Sequence, residues 1–374
     1  MLRRLRSSLF DGGSTSRAQA VSQGQLLRQE PVPPPRVEDV SDGIYAYLQL
    51  PGQWGLNNSA FLVGASAVTL VDTCFTERRT RALLEAVRAV TDRPVGTLFN
   101  THEHGDHTWG NFMLPESTTV VGHERCRSGM AASGLLAQTI FPGVEWGNIV
   151  LRLPTITFED RLTLWVDDLR LEARYMGPAH TTSDAVLWLP DRKVLFSGDL
   201  VFNGGTPFVL MGSVRGALDA LQGLKALGPE MVVPGHGPLA GPEVIDDQVA
   251  YLRYVQALAA DGHSAGLSPL DAAREADLGE FADWHDPERI VGNLARAYTE
   301  LESMEPGASV VWPEGEGGVP RRPRRSGLLQ SPVHVGNCIA ERLDGLGILV
   351  RYLESIARLD FELNLEKSKR VQPD

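Results

Sequence analysis

The chain has 374 residues, 43% of them hydrophobic, with 35 basic and 47 acidic side chains and a formal net charge of −12. The apolar share suffices for a large core, and the acidic balance argues against nucleic acid or an anionic membrane surface as the main partner. Cys74, Cys126 and Cys338 make no disulfide framework, the N-terminus lacks the apolar region of a secretory signal, and no apolar run approaches the ~20 residues of a membrane helix, so a cytoplasmic protein is expected.

Residues 1–36 are rich in Ser, Gln, Arg and Gly and end in a proline cluster, which reads as a disordered arm. From residue 37 the texture changes. Short apolar or alternating runs at 43–50, 60–63 and 67–71, punctuated by Gly, Pro and Asn, predict strands. Ala82, Leu83, Ala86, Val87 and Val90 give residues 77–90 helical spacing, and 95–100 is a further strand. The second half repeats this grammar. Hairpins are expected at 162–166 with 169–175 and at 185–190 with 194–197, followed by a helix bearing Leu218, Leu221, Leu224 and Leu227 and a strand at 230–233. Two β-rich halves with their own helices predict an α/β fold, an αββα sandwich, closed by C-terminal helices over 245–260 and 269–303. The catalytic domain is placed at 37–305. Beyond it, 306–374 divides into a Gly, Pro and Arg linker at 315–325 and an amphipathic helix marked by Ile339, Leu343, Leu346, Val350 and Leu353, either a peripheral helix or a separate module.

Three of the nine histidines fall in the run Thr-His-Glu-His-Gly-Asp-His at 101–107, directly after the strand at 95–100. Imidazole and carboxylate are ligands that zinc favours, and packing alone gives no reason to crowd them. His102 and His104 can aim at one ion while Asp106 and His107 reach a second, with Gly105 allowing a sharp turn between the pairs. His180 completes the first site, His236 the second, and Asp199 bridges. Two zinc ions are expected, with iron or manganese as chemically acceptable substitutes. Such a centre activates water and stabilises a developing oxyanion or enolate, which gives Asp106 and Asp199 catalytic roles.

Asp72 at a strand end either orients a ligand from behind or is a turn aspartate. His123 is expected to be surface or hydrogen-bonded, and Cys74 a buried, inert thiol. Trp54, Phe141, Trp146, Tyr175, Phe208 and Met211 flank the metal loops. Each alone suits the core, while together they would wall a pocket for a flat, apolar substrate.

The motifs at 101–107, Gly-Pro-Ala-His at 177–180, Ser-Gly-Asp at 197–199 and Pro-Gly-His at 234–236 resemble the ordered metal motifs of the metallo-β-lactamase superfamily. That resemblance implies the αββα sandwich, His102, His104 and His180 on one zinc, Asp106, His107 and His236 on the other, a bridging Asp199, and Asp72 as the family's strand-end aspartate. A narrower similarity runs through 144–148, 158–164, 211–216, 235–245, 267–274 and 293–297 to the metallo-β-lactamase-fold cyclases of bacterial aromatic polyketide pathways. It implies closure of a second ring on a carrier-bound polyketide, release by thioester hydrolysis, and an acyl carrier protein as partner. Aspartate at 199, where some antibiotic-hydrolysing members carry cysteine, argues against that lactamase site. Histidine at 104 departs from the glutamate of the di-iron redox members. A glyoxalase II-like thioester or lactone hydrolase shares the ligand set and stays open, as does a non-catalytic metal-binding scaffold.

Overall fold

The computed structural model describes residues 33–141 and 143–303. The strands are β1 (Arg36–Ser41), β2 (Ile44–Leu48), β3 (Ser59–Val63), β4 (Val68–Val71), β5 (Val95–Asn100), β6 (Thr119–His123), β7 (Ile156–Phe158), β8 (Arg161–Val166), β9 (Leu169–Tyr175), β10 (Ala185–Leu189), β11 (Val194–Phe202) and β12 (Met231–His236). The helices are α1 (Glu77–Val90), α2 (Gly105–Thr108), α3 (Glu124–Ser133), α4 (Ala137–Ile140), α5 (Val214–Leu227), α6 (Glu243–Ser264), α7 (Pro269–Glu275) and α8 (Arg289–Glu302). One sheet has the order β1-β2-β3-β4-β5-β6-β7 and the other β12-β11-β10-β9-β8. The first is antiparallel from β1 to β4 and parallel from β4 to β7, and in the second only β11 and β12 run parallel.

Alternation along the strands builds the layers. In β2 and β3, Ile44, Ala46, Leu48, Ala60 and Leu62 face the second sheet, where they meet Leu171, Ala173, Ala185, Leu187 and Phe196. The intervening Tyr47 and Phe61 pack with Leu83 and Val87 of α1. On the far side Val186, Trp188 and Leu195 pack beneath α5, α6 and α8 through Leu221, Tyr251, Val255 and Leu294. Each Val, Leu, Ile or Phe side chain so buried contributes about 1.5–3 kcal/mol relative to exposure. The expected αββα sandwich with additional C-terminal helices is the observed fold.

The helix ends follow their chemistry. The Thr76 hydroxyl caps α1 by accepting from Arg79 N, Ser213 caps α5 through Gly216 N, and Gly228 ends α5 in the left-handed region at φ 69°.

Several expectations need correction. β1, an edge strand of mixed polarity, was not anticipated and begins at Arg36, the last residue assigned to the arm. Helices α3 and α4 and strand β7 were not expected either. The single helix proposed over 269–303 is two, because Ala276 is extended and Gly279 and Asp286 adopt φ 51° and 54°. The arm as far as residue 32, and the linker and amphipathic tail, lie outside the described residues. Among the described residues no helix is long and apolar enough to cross a membrane.

Candidate metal centre

The candidate ligands lie in segments that follow strands, except Asp199 within β11 and His236 at the end of β12. Asp72 follows β4 at φ 56°, its N–H donating to Phe99 O at 2.9 Å. The histidine-rich run leaves β5. Residues 101–103 form bends, His104 is extended, and Gly105–Thr108 form one helical turn, α2. Gly105, at the start of that turn, is not among the residues of positive φ, so the change of direction there does not use left-handed backbone. Its missing side chain makes room for Trp109, whose ring carbon Cε2 would lie 2.5 Å from any Cβ there. Asp199 was expected just past its strand and instead lies within β11, which runs on to Phe202 through a register shift at Gly198 (φ 49°). His236 is the last residue of β12. A Cβ at Gly235 would collide with Asp199 Oδ1, so the Pro-Gly-His sequence owes its glycine to the carboxylate beside it.

The loop carrying His180 is shaped by Asp184, whose carboxylate accepts from Ala179 N at 3.1 Å, Thr181 N at 2.9 Å and the Thr181 hydroxyl at 2.7 Å. The Ser183 hydroxyl donates to Glu103 Oε2, clipping that loop to the residue between His102 and His104. Neither Glu103 nor Asp184 was singled out from the sequence. The only local signal was a glutamate lodged between two ligands.

These elements converge. His102, His104, His180 and Asp199 form one group and Asp106, His107 and His236 another, the ligand atoms within each lying within 4.8 Å of one another. Asp199 faces both. Its Oδ2 is 3.3 Å from the Nε2 of His180 and of His236, and its Oδ1 is 3.1 Å from His107 Nε2. Asp106 Oδ2 lies 3.4 Å from His236 Nε2 and 3.9 Å from His107 Nε2. His104 presents Nδ1, 2.8 Å from His180 Nε2.

The rings are fixed from behind. His107 Nδ1 meets Asp72 Oδ2 at 2.9 Å, His236 Nδ1 meets Gly52 O at 3.0 Å, and His180 Nδ1 donates to Phe208 O. The Thr101 hydroxyl donates to Asp72 Oδ2 at 2.7 Å and contacts His102 Nδ1 at 3.0 Å. A hydroxyl has one proton. Thr101 therefore accepts from His102 Nδ1–H, and the lone pair of His102 is left on Nε2. That atom is buried without a hydrogen-bond partner among the described residues, and it faces the Asp199 carboxylate at 3.9 Å. Two buried acceptors facing each other are unfavourable unless a cation lies between them, so the donor set fits a metal ion.

The electrostatics divide the histidines. Burial, with His180 adding to it, lowers the pKa of His104 to about 3, and burial lowers His180 to about 4 despite Asp199. Burial likewise holds His102 well below its ordinary value. For His236 burial opposes the charge, yet Asp199 and Asp106 lift its pKa to about 9. His107 is raised well above its ordinary value against burial, by Asp199, Asp106 and Asp72. Burial, with repulsion from Asp184, pushes Glu103 up to about 8, and burial pushes Asp184 to about 7.

Above both groups a pocket opens to solvent, with His104, Asp106, His180, Asp199 and His236 at its base and Trp54, Phe75, Phe141, Phe202, Phe208 and Arg289 in its wall. Of the six aromatic and methionine candidates, Trp54, Phe141 and Phe208 line it. Trp146 packs against Phe75 and Trp109, and Tyr175 stacks on His123 at 4.0 Å; these two, with Met211, are absent from its wall. His123 is hydrogen-bonded as expected, to Glu159 O and from Arg125 N. Cys74 is buried, and burial raises its thiol pKa to about 12. Phe75, Phe202 and Arg289 in the wall were not foreseen.

The sequence matches the pattern of the Metallo-beta-lactamase superfamily over residues 52–236. It is 28% identical over 221 residues to Metallo-beta-lactamase type 2 of Bacteroides fragilis, covering 56% of this chain and 82% of that protein. It is 31% identical over 157 residues to a Hydroxyacylglutathione hydrolase of Methylococcus capsulatus, covering 40% of this chain and 51% of the relative. Among solved structures, a metallo-beta-lactamase from Pontibacter korlensis shares the fold with a TM-score of 0.51 at 21% identity, over 59% of this chain and 99% of the other.

Proposed function

Since the chain belongs to the metallo-beta-lactamase superfamily, we propose that it is a two-zinc enzyme that closes a second ring on a carrier-bound aromatic polyketide and releases the product by thioester hydrolysis. The observation that carries this reading is an aromatic-walled pocket set directly over the two ligand groups. Rings on several sides of the pocket suit a flat, apolar acyl body.

Zinc held by these ligands supplies Lewis acidity towards a carbonyl and lowers the pKa of water towards about 7. The remaining chemistry belongs to the chain. Asp106 lines the pocket, and its side chain is 14% exposed against 4% for Asp199, so it is the carboxylate positioned to take an α-proton from the substrate. The carbon so released attacks a ketone carbon to form the new ring bond, and loss of water aromatises the ring. Phe75, Phe141 and Phe208 keep bulk water from the reacting carbons.

A second reading, hydrolysis of a small thioester without ring closure, is supported by the similarity to a hydroxyacylglutathione hydrolase. Incubating the zinc-loaded protein with a monocyclic polyketide on its carrier separates the two. A bicyclic product supports the cyclase. Free uncyclised acid alone rejects it in favour of the hydrolase. No turnover of either kind leaves a metal-binding scaffold.

A further inference from the structure

One residue of the pocket wall, Arg289, comes from beyond residue 236, where the superfamily match ends. Trp54 Nε1 donates to Glu288 Oε1 at 2.7 Å, a contact between residues 234 positions apart. Arg289, 2% exposed, lays its guanidinium over the same indole, Cζ 4.1 Å from the ring centroid, and faces Phe202 at 5.2 Å. Phe208 meets the indole edge-on at 5.2 Å. The segment holding Glu288 and Arg289 is itself anchored. Thr206 N donates to His285 O at 2.9 Å, His285 N to Gly204 O at 3.0 Å, and Arg289 Nη1 to Thr206 O at 2.9 Å, while Asp286 pairs with Arg289 Nη2 at 2.9 Å. The indole is thus gripped at its edge and over its ring from the start of α8, and it stands on the loop whose Gly52 carbonyl orients His236.

We infer that Glu288 and Arg289 are specificity-determining positioning residues, which clamp Trp54 as a fixed wall and so select planar aromatic substrates. The inference rests on the aromatic-substrate reading above. An unclamped indole, on a partly exposed loop, would have to be ordered each time a ligand bound. Removing that loss beforehand is worth about tenfold in affinity for a ligand that uses the flat wall. A flexible chain that does not need a flat surface gains little from it. The helices after residue 236 then set which substrate enters, while the strand-end ligands set the chemistry.

The test uses the full chain, metal-free and zinc-loaded, with 2-naphthoate and octanoate as probes, which share a carboxylate and differ in planarity. Glu288→Ala and Trp54→Phe should each weaken 2-naphthoate about tenfold and leave octanoate within about twofold. The double variant should be no weaker than either single one, because both remove the same contact. Glu288→Gln, which keeps the acceptor oxygen, should bind as the parent does. In turnover of a naphthoyl thioester, Glu288→Ala should raise KM about tenfold with kcat little changed. Unchanged naphthoate affinity in Glu288→Ala, or additive losses in the double variant, overturns the clamp while the aromatic reading survives. A parent protein that binds naphthoate no better than octanoate overturns both.

Discussion

Asp72 Oδ2 lies 2.9 Å from His107 Nδ1, and the same carboxylate accepts from both the backbone N–H and the hydroxyl of Thr101, which in turn holds His102. One aspartate outside the ligand set therefore fixes the tautomer of a histidine in each metal group. Asp72→Ala should lower zinc affinity about 10–100-fold with the fold retained, since it frees two ligand rings at once. Titration against a competing chelator measures this, and an affinity within a factor of two of the parent would contradict the assignment.

Asp199 belongs to the first group and also lies 3.1 Å from His107 and 3.3 Å from His236 of the second, whereas His236 belongs to the second group. Asp199→Ala should leave the dialysed protein with little metal of either kind, while His236→Ala should keep one equivalent. Metal analysis of the two variants side by side decides the matter; equal stoichiometries would count against a bridging position.

The metal groups should also part company with pH. In the metal-free protein His236 has its pKa lifted to about 9, and His107 is raised as well, so at neutral pH an ion entering the second group must displace protons from both. Lower pH opposes that displacement, and affinity falls up to about tenfold per pH unit for each proton released. His104 and His180, with pKa values of about 3 and about 4, are already neutral at pH 6 and lose nothing until the solution is far more acidic. Equilibrium dialysis between pH 8 and pH 5 should strip one equivalent first. Simultaneous loss of both would refute the split.

Gly235→Ala should be severe for its size. The added methyl would run into Asp199 Oδ1 and lie 2.7 Å from the Gly198 carbonyl carbon, and neither the carboxylate nor the strand backbone can withdraw freely. A loss of about 1–3 kcal/mol of stability is expected, together with weakened metal retention. Denaturant unfolding with metal analysis checks both, and a variant unchanged in either respect would show that β11 yields more easily than its packing implies.

Much of this was legible in the chain. The seven ligands, their order and their division into two groups follow from residue chemistry and short spacings, and continuous apolar runs such as residues 185–189 mark strands buried on both faces. Edge strand β1 escaped because its Arg-Val-Glu-Asp-Val-Ser pattern leaves none of its six residues buried. The reason for glycine at 105 was not legible, because it is not backbone freedom for a sharp turn but the closeness of the Trp109 ring, four residues later.

The amino-acid order by itself determined which side chains can hold metal and which segments deliver them, since ligand chemistry and strand periodicity are local. Only the tertiary structure decided that Asp199 faces both groups, that Asp72 governs His107 directly and His102 through Thr101, and that Glu288 and Arg289 meet Trp54 in the pocket wall. Those relations depend on how the two sheets register and on which side chains meet across them. Contacts between residues far apart in the chain leave no trace in any short stretch of it.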